Sequence, residues 1–242
     1  RGEPAVSHVR AALEGQAHVV TANKGPAAFA YHELEAVAES VDRVFLFEGA
    51  VMDGVPVFNL ARETLPALRI DGFRGVINTT CNFILSELER GAEFDRALAD
   101  MQARGIAEAD PTLDIDGWDA AAKAAALVNA LMGGVITPHL VQRTGIRDVT
   151  GLDVRDALGR NKRIRLVASA SRHGGTVKAR VEPEWLDRSD PLASLVDLNN
   201  ALYLSTDLLG EIGIVQRGGD LTQTAYALLS DVARISQRLI EL

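Results

Sequence analysis

Between Gly105 and Lys123 the chain reads GIAEADPTLDIDGWDAAAK. This places Glu108, Asp110, Asp114, Asp116 and Asp119 within twelve residues and a lysine one helical turn beyond the last of them. Such a group could coordinate a hard cation, form a solvated turn, or line a pocket where an acid and a base move a proton. A calcium loop with Gly117 at its central glycine position sets Thr112, Asp114 and Asp116 correctly. It then requires a bidentate glutamate where the chain has Lys123, and that cation excludes the reading. In a solvated turn, Asp119 caps the first turn of an alanine-rich helix and pairs with Lys123 at i,i+4, a contact worth ~0.3–0.5 kcal/mol. Trp118 and the alanine face after it favour a buried helix start, where a lysine beside a carboxylate is a competent proton donor. Residue types alone leave both of these readings open.

Three further stretches carry polar groups at the ends of apolar runs. Val19 to Gly25, VVTANKG, delivers Thr21, Asn23 and Lys24 to the carboxyl edge of a strand, where open α/β sheets bind ligands; the alternative is a loop lysine in solvent. Phe47 to Pro56, FEGAVMDGVP, sends Glu48 out of a strand into a turn, as a strand-end acid or as an oxygen ligand for a hard cation. Ile77 to Leu88, INTTCNFILSEL, opens a helix with small hydroxyl and amide residues, a cap that can also receive a carboxylate. No histidine has HExxH spacing, Cys81 has no CxxC partner, and no GxSxG elbow occurs, which argues against zinc and serine-hydrolase chemistry.

The elements that must hold these groups follow from apolar periodicity. His18 to Ala22 and Val41 to Ala50 read as buried parallel strands around a helix over Ala27 to Glu39, a βαβ unit. After a switch near Val51 to Phe58, strands at FRGVIN, IRLVASAS and VKARVEP alternate with helices over Asn82 to Arg90, Phe94 to Gly105, Asp119 to Met132 and Asp148 to Arg160. From Leu221 to Leu239 a helix sets Ala225, Leu228, Leu229, Val232, Ile235 and Leu239 on one face, expected to pack inward. With 242 residues, 47% of them apolar, the chain can build a substantial core. A net charge of -8 without a basic run excludes a nucleic-acid surface, and the longest apolar run, Ala120 to Ile136, is too short and polar to cross a membrane. One cysteine and no recognisable signal peptide suit a cytoplasmic location.

Taken in order, VVTANK, FEGAV with GVP, the T-x-N-F-I-L helix start and G-x-x-E-A-D-P-x-x-D-x-D-G-x-D-A-x-x-K resemble homoserine dehydrogenase from Val19 to about Val232. The resemblance implies NAD- or NADP-dependent interconversion of L-homoserine and L-aspartate 4-semialdehyde, in the pathway to threonine, methionine and isoleucine. Carried over by motif, Lys123 and Asp119 are the catalytic lysine and its carboxylate, with Lys24 a second lysine in the cleft. Glu108 and Asp114 would bind the substrate ammonium, Thr79 and Thr80 its carboxylate. Thr21, Asn23, Lys24 and Gly218 would border the cofactor. Glu48, with Val51, Asp53 and Val55, would hold a monovalent cation, usually sodium.

The expected fold is α/β: a partial Rossmann-type dinucleotide-binding domain plus an α+β catalytic and dimerisation domain with a mixed sheet. Residues 1–50 form the carboxyl-terminal part of the first, 51–215 the second, and 216–242 a helix returning to the first. The GxGxxG fingerprint belongs on an earlier strand and is not in this sequence, so the chain alone is expected to bind cofactor weakly or not at all. A homodimer is expected, with a small-molecule substrate and neither nucleic acid nor membrane as partner. Two alternatives are a related dehydrogenase acting on another small amino or oxo acid, because MDG (Met52–Gly54) and GGDL (Gly218–Leu221) depart from the family's glycine turns, and a non-catalytic dimerising fragment.

Overall fold

The computed structural model describes residues 2–103, 110–219 and 221–240. Helix α1 (Ala5–Glu14) leads into strand β1 (Val19–Val20), helix α2 (Lys24–Ser40) and strand β2 (Phe45–Leu46). β1 and β2 pair in parallel, Val19 opposite Phe45, so the expected βαβ unit is present with shorter strands than the apolar runs. The ladder stops on one side because Val44 N–H donates to the imidazole Nδ1 of His18 at 3.2 Å. On the other side the chain turns into a short 3₁₀ segment, Glu48–Ala50.

The second part begins with β3 (Ile70–Val76) and continues through α3 (Thr79–Glu89), α4 (Phe94–Ala103), α5 (Thr112–Ile115) and α6 (Trp118–Met132). It continues with β4 (Gln142–Arg143), α7 (Gly151–Gly159), β5 (Lys162–His173), β6 (Thr176–Asp187), β7 (Asn200–Thr206) and β8 (Gly210–Gln216), and α8 (Leu221–Ile240) closes it. Six strands form one mixed sheet in the order β4-β6-β5-β3-β7-β8, antiparallel except for β4 on β6.

Alternation divides this sheet into two apolar faces. Phe73, Leu166, Ala168, Leu202 and Leu204 join the main core with α3, α6 and α7, while Val76, Val167, Leu186 and Ala201 join a smaller cluster under the turn Pro191–Ser194. Arg165 lies on that second face, fully buried, with its guanidinium donating to Glu89 and to the carbonyls of Ile164 and Leu195.

Several boundaries differ from the periodicity, and caps account for them. The Asn78 side chain accepts from Cys81 N–H, so α3 starts at Thr79 rather than Asn82. Thr150 and Asp153 form a reciprocal capping box that starts α7 at Gly151. α6 starts after Gly117, whose φ of +79° turns the chain sharply out of α5, and ends at Gly133 in the left-handed region. α1, α5, β4, β7 and β8 were not anticipated.

The expected inward face of α8 is corrected. Ala227 and Asp231 are the buried residues of this helix, whereas Leu229, Val232 and Leu239 are exposed. A Cβ on Gly49 would stand 3.3 Å from Ala227 Cβ, so a stripe of small residues lets α8 approach the Glu48–Ala50 turn closely. The Asp231 carboxylate then accepts Glu48 N–H at 2.9 Å. Hydrogen bonding and close approach, rather than bulk apolarity, set the rotation of this helix. No helix among the described residues is long and apolar enough to cross a membrane.

Candidate active site

The starts of α1, α2, α3, α6 and α8 converge on one cavity of about 1190 Å³, and three of them carry the expected site residues Lys24, Thr79, Thr80, Asp119 and Lys123. α2 begins with Lys24 because Asn23 Oδ1 accepts Gly25 N–H at 2.8 Å, and Asn23 N–H in turn donates to Thr21 Oγ1 at 3.0 Å. α6 begins with Trp118 and Asp119, and α3 begins with Thr79 and Thr80. Lys24, Asn23, Thr79, Thr80, Asp114, Asp119 and Lys123 all line the cavity.

Asp119 is the hub. Lys24 Nζ stands 2.9 Å from one of its oxygens and Lys123 Nζ 3.2 Å from the other. Lys123 Nζ also donates to the Ile77 carbonyl at 2.8 Å. Burial would push the Asp119 carboxyl up, but the two lysines and the hydrogen bonds from Lys24 and Asn78 outweigh it and hold the group far below the usual carboxylate range. The Asp119–Lys123 pair is therefore not the solvent-exposed contact of a surface turn. Asp114 shows the opposite balance: burial first, then the neighbouring Asp119 charge, push its carboxyl up, with Asn78, Lys123 and Thr80 opposing.

Beside these groups Asn78, which residue-type reasoning identified only as a cap, also lines the cavity. Its amide nitrogen donates to Asp114 at 2.7 Å and to Asp119 at 2.9 Å. Cys81 donates its thiol to the Asp114 carbonyl at 3.2 Å, and complete burial pushes that thiol well up, so it stays protonated. Opposite the charged wall stand apolar and aromatic side chains, with Trp118 edge-on to His139 at 5.3 Å and His139 edge-on to Phe29 at 6.0 Å. Arg143 stacks on the far side of Trp118 at 3.8 Å and donates to the Asp116 carbonyl, which fixes the α5–α6 turn. Asp116 pairs with Arg147 and serves the turn itself, while Asp110 accepts Thr112 N–H and also lines the cavity.

Other expected residues lie elsewhere. Thr21 and Gly218 are outside the cavity lining, where Asn23 and Gly219 are found instead. Glu108 lies outside the described residues. Asp53 reaches the cavity, but Glu48 does not: its carboxylate accepts N–H groups from Val57, Phe58 and Asn59 at 2.6, 2.9 and 2.6 Å. Burial pushes Glu48 up, with the nearby Asp231 adding to it, against those three donors. Among the described residues no cluster of three or more histidine, cysteine, aspartate or glutamate side chains could hold a metal.

A family description for homoserine dehydrogenase matches residues 56–233. The chain is 42% identical over 237 residues to the NAD(+)-dependent homoserine dehydrogenase of Pseudomonas canavaninivorans, covering 98% of this chain and 67% of that protein. It is 39% identical over 235 residues to the homoserine dehydrogenase of Methanocaldococcus jannaschii, covering 97% and 68%. The crystal structure of a homoserine dehydrogenase from Thiobacillus denitrificans matches with a TM-score of 0.89 at 37% identity, covering 96% of this chain and 54% of that one. The enzyme from Thermoplasma acidophilum matches at 0.86 and 26% identity, covering 98% and 71%.

Proposed function

The chain belongs to the homoserine dehydrogenase family, and from that premise we propose how its cavity serves interconversion of L-homoserine and L-aspartate 4-semialdehyde by an NAD(P)-dependent oxidoreductase. The observation that carries the reading is Asp119 between two lysines, in the wall of a cavity that also holds Asp114 and the start of α3. A zwitterionic amino acid needs anions for its ammonium and donors for its carboxylate. Asp114, with Glu108, supplies the first. Thr79 and Thr80 supply the second, because the leading N–H groups of a helix have no intrahelical acceptor.

Ligand pockets are typically ~300–1,000 Å³, so a cavity of about 1190 Å³ has room for a flat ring beside a four-carbon substrate. The Phe29, Trp118 and His139 wall suits such a ring, and in that sense the residues fit a nicotinamide. A bound nicotinamide supplies the hydride. In the reductive direction negative charge grows on the aldehyde oxygen, and Lys123, held by Asp119 and the Ile77 carbonyl, donates a proton to it. Lys24 shares Asp119 and holds the same carboxylate charged. NAD is the proposed cofactor, as in the name of the Pseudomonas relative.

A monovalent cation held by Glu48 with the carbonyls of Val51, Asp53 and Val55 is part of this proposal; what supports it is the buried Glu48 carboxylate, which feels the neighbouring Asp231 charge. Its contribution would be to neutralise that pair and fix the loop. Residues 1–50 and 216–242 form the dinucleotide-binding side in this reading and 51–215 the catalytic and dimerisation side. A cytoplasmic homodimer is proposed, made through the second of these regions.

The test is reduction of L-aspartate 4-semialdehyde with NADH by the full-length polypeptide, with Lys123→Ala alongside. Turnover abolished by the substitution is expected. No turnover by the unsubstituted enzyme would sink the activity, and an unimpaired variant would sink the role of Lys123.

A further inference from the structure

One amide group in the cavity wall touches both carboxylates that the proposed reaction uses. Asn78 is 3% exposed, and its side-chain oxygen accepts Cys81 N–H at 2.8 Å. That bond fixes the orientation of the amide, because a backbone N–H cannot accept from an NH₂ group. The two hydrogens of the nitrogen then point away from α3. One meets Asp114 at 2.7 Å and the other Asp119 at 2.9 Å.

We infer that Asn78 is a positioning residue for the reaction, a clamp that holds the ammonium-binding carboxylate of Asp114 at a fixed separation from the lysine-bound carboxylate of Asp119. The inference rests on the function proposed above. Two buried carboxylates side by side repel each other, and a neutral donor shared between them is the group that offsets this without adding charge. The clamp also links the two ends of the substrate. Asp114 faces its ammonium, and Asp119 sets Lys123 at the reacting oxygen, so a shift of either carboxylate misplaces one end relative to the other. Among the described residues Lys24 and Lys123 act directly on this pair, Cys81 lies against it, and Asp116 acts on the Cys81 thiol rather than on either carboxylate.

Capping and clamping are separable by substitution. Aspartate and serine are as good as asparagine at a helix N-cap, so Asn78→Ser and Asn78→Asp both keep the oxygen that starts α3. Serine cannot reach both carboxylates, and aspartate sets a third carboxylate against them. A merely structural cap predicts two active variants. The clamp predicts that Asn78→Ser lowers kcat/KM for L-homoserine roughly tenfold or more, mostly through KM for homoserine, leaves KM for NAD unchanged, and moves the acid limb of the pH profile upward. Asn78→Asp should be worse than Asn78→Ser although its cap is intact.

A second readout does not depend on turnover. In protein labelled with ¹³C-aspartate, the Asp114 carboxyl, assigned through Asp114→Asn, should titrate at higher pH in Asn78→Ser than in the unsubstituted enzyme. Wild-type kinetics in both variants with an unmoved Asp114 titration would overturn the clamp. Absence of homoserine turnover in the unsubstituted enzyme would instead overturn the proposed function, and the Asp114 titration would still decide the clamp.

Discussion

Lys24 opens α2 and Asp119 lies in the first turn of α6, and their side chains meet at 2.9 Å across the candidate active site. The same carboxylate holds Lys123 from its own helix, one turn on. Asp119→Asn keeps the shape and removes the charge that anchors both ammonium groups. It should lower kcat by roughly 10²-fold or more, the scale of general acid–base contributions. Steady-state kinetics with L-homoserine and NAD check this, and wild-type turnover would contradict the hub.

The two lysines should not be equivalent. Lys123 is the more enclosed, its side chain 17% exposed against 37% for Lys24, and it has the Ile77 carbonyl as a second anchor. Lys123→Ala should therefore cost more in kcat than Lys24→Ala. The reverse order, measured in one assay, would transfer the proton-donor role to Lys24.

Asp119 also predicts a pH dependence of stability. Its folded pKa is depressed below the unfolded value of about 3.9, so at equilibrium the unfolded chain binds the proton more readily. The resulting stabilisation is fully present above about pH 5 and is lost progressively as pH falls through about 4 and below. Thermal melts of the wild type and Asp119→Asn should therefore keep a constant gap between about pH 7 and pH 5 and converge as pH falls from about 5 toward 3. A gap that stays constant through that acid range would show that the stabilisation is not electrostatic.

Behind the sheet, Glu89 is the carboxylate partner of the fully buried Arg165. Removing it by Glu89→Ala leaves a guanidinium uncompensated, at a cost of about 3–5 kcal/mol. Chemical denaturation should show this loss as a lower midpoint with an unchanged slope, and a change under 1 kcal/mol would mean that the carbonyls of Ile164 and Leu195 suffice.

Asp231 ties α8 to the strand-end turn through Glu48 N–H, with Asn59 donating to its other oxygen at 3.3 Å. Asp231→Ala should destabilise by about 1–3 kcal/mol through unsatisfied buried donors. Amide exchange should concentrate the loss of protection in α8 and the Glu48–Ala50 turn, whereas a uniform loss would deny the local tie.

The sequence by itself determined which chemistry was possible here. A lysine one turn after an aspartate, behind a glycine that can adopt positive φ, specifies a helix start carrying an acid–base pair, and the apolar alternation specifies a mixed sheet behind it. Those are local properties, set by spacing along the backbone. The sequence did not rotate α8 correctly, because its burial follows the Asp231–Glu48 hydrogen bond and close approach to Gly49, which a periodicity of apolar residues does not register. Nor did it show that Asn78 does more than cap. That second role exists only because folding brings the starts of α3 and α6 together, within one amide group's reach of two carboxylates. Whether Asp119 belonged to a solvated turn or to a buried hub was likewise decided by tertiary structure: desolvation and the arrival of Lys24 from a distant helix are long-range effects, and no spacing rule contains them.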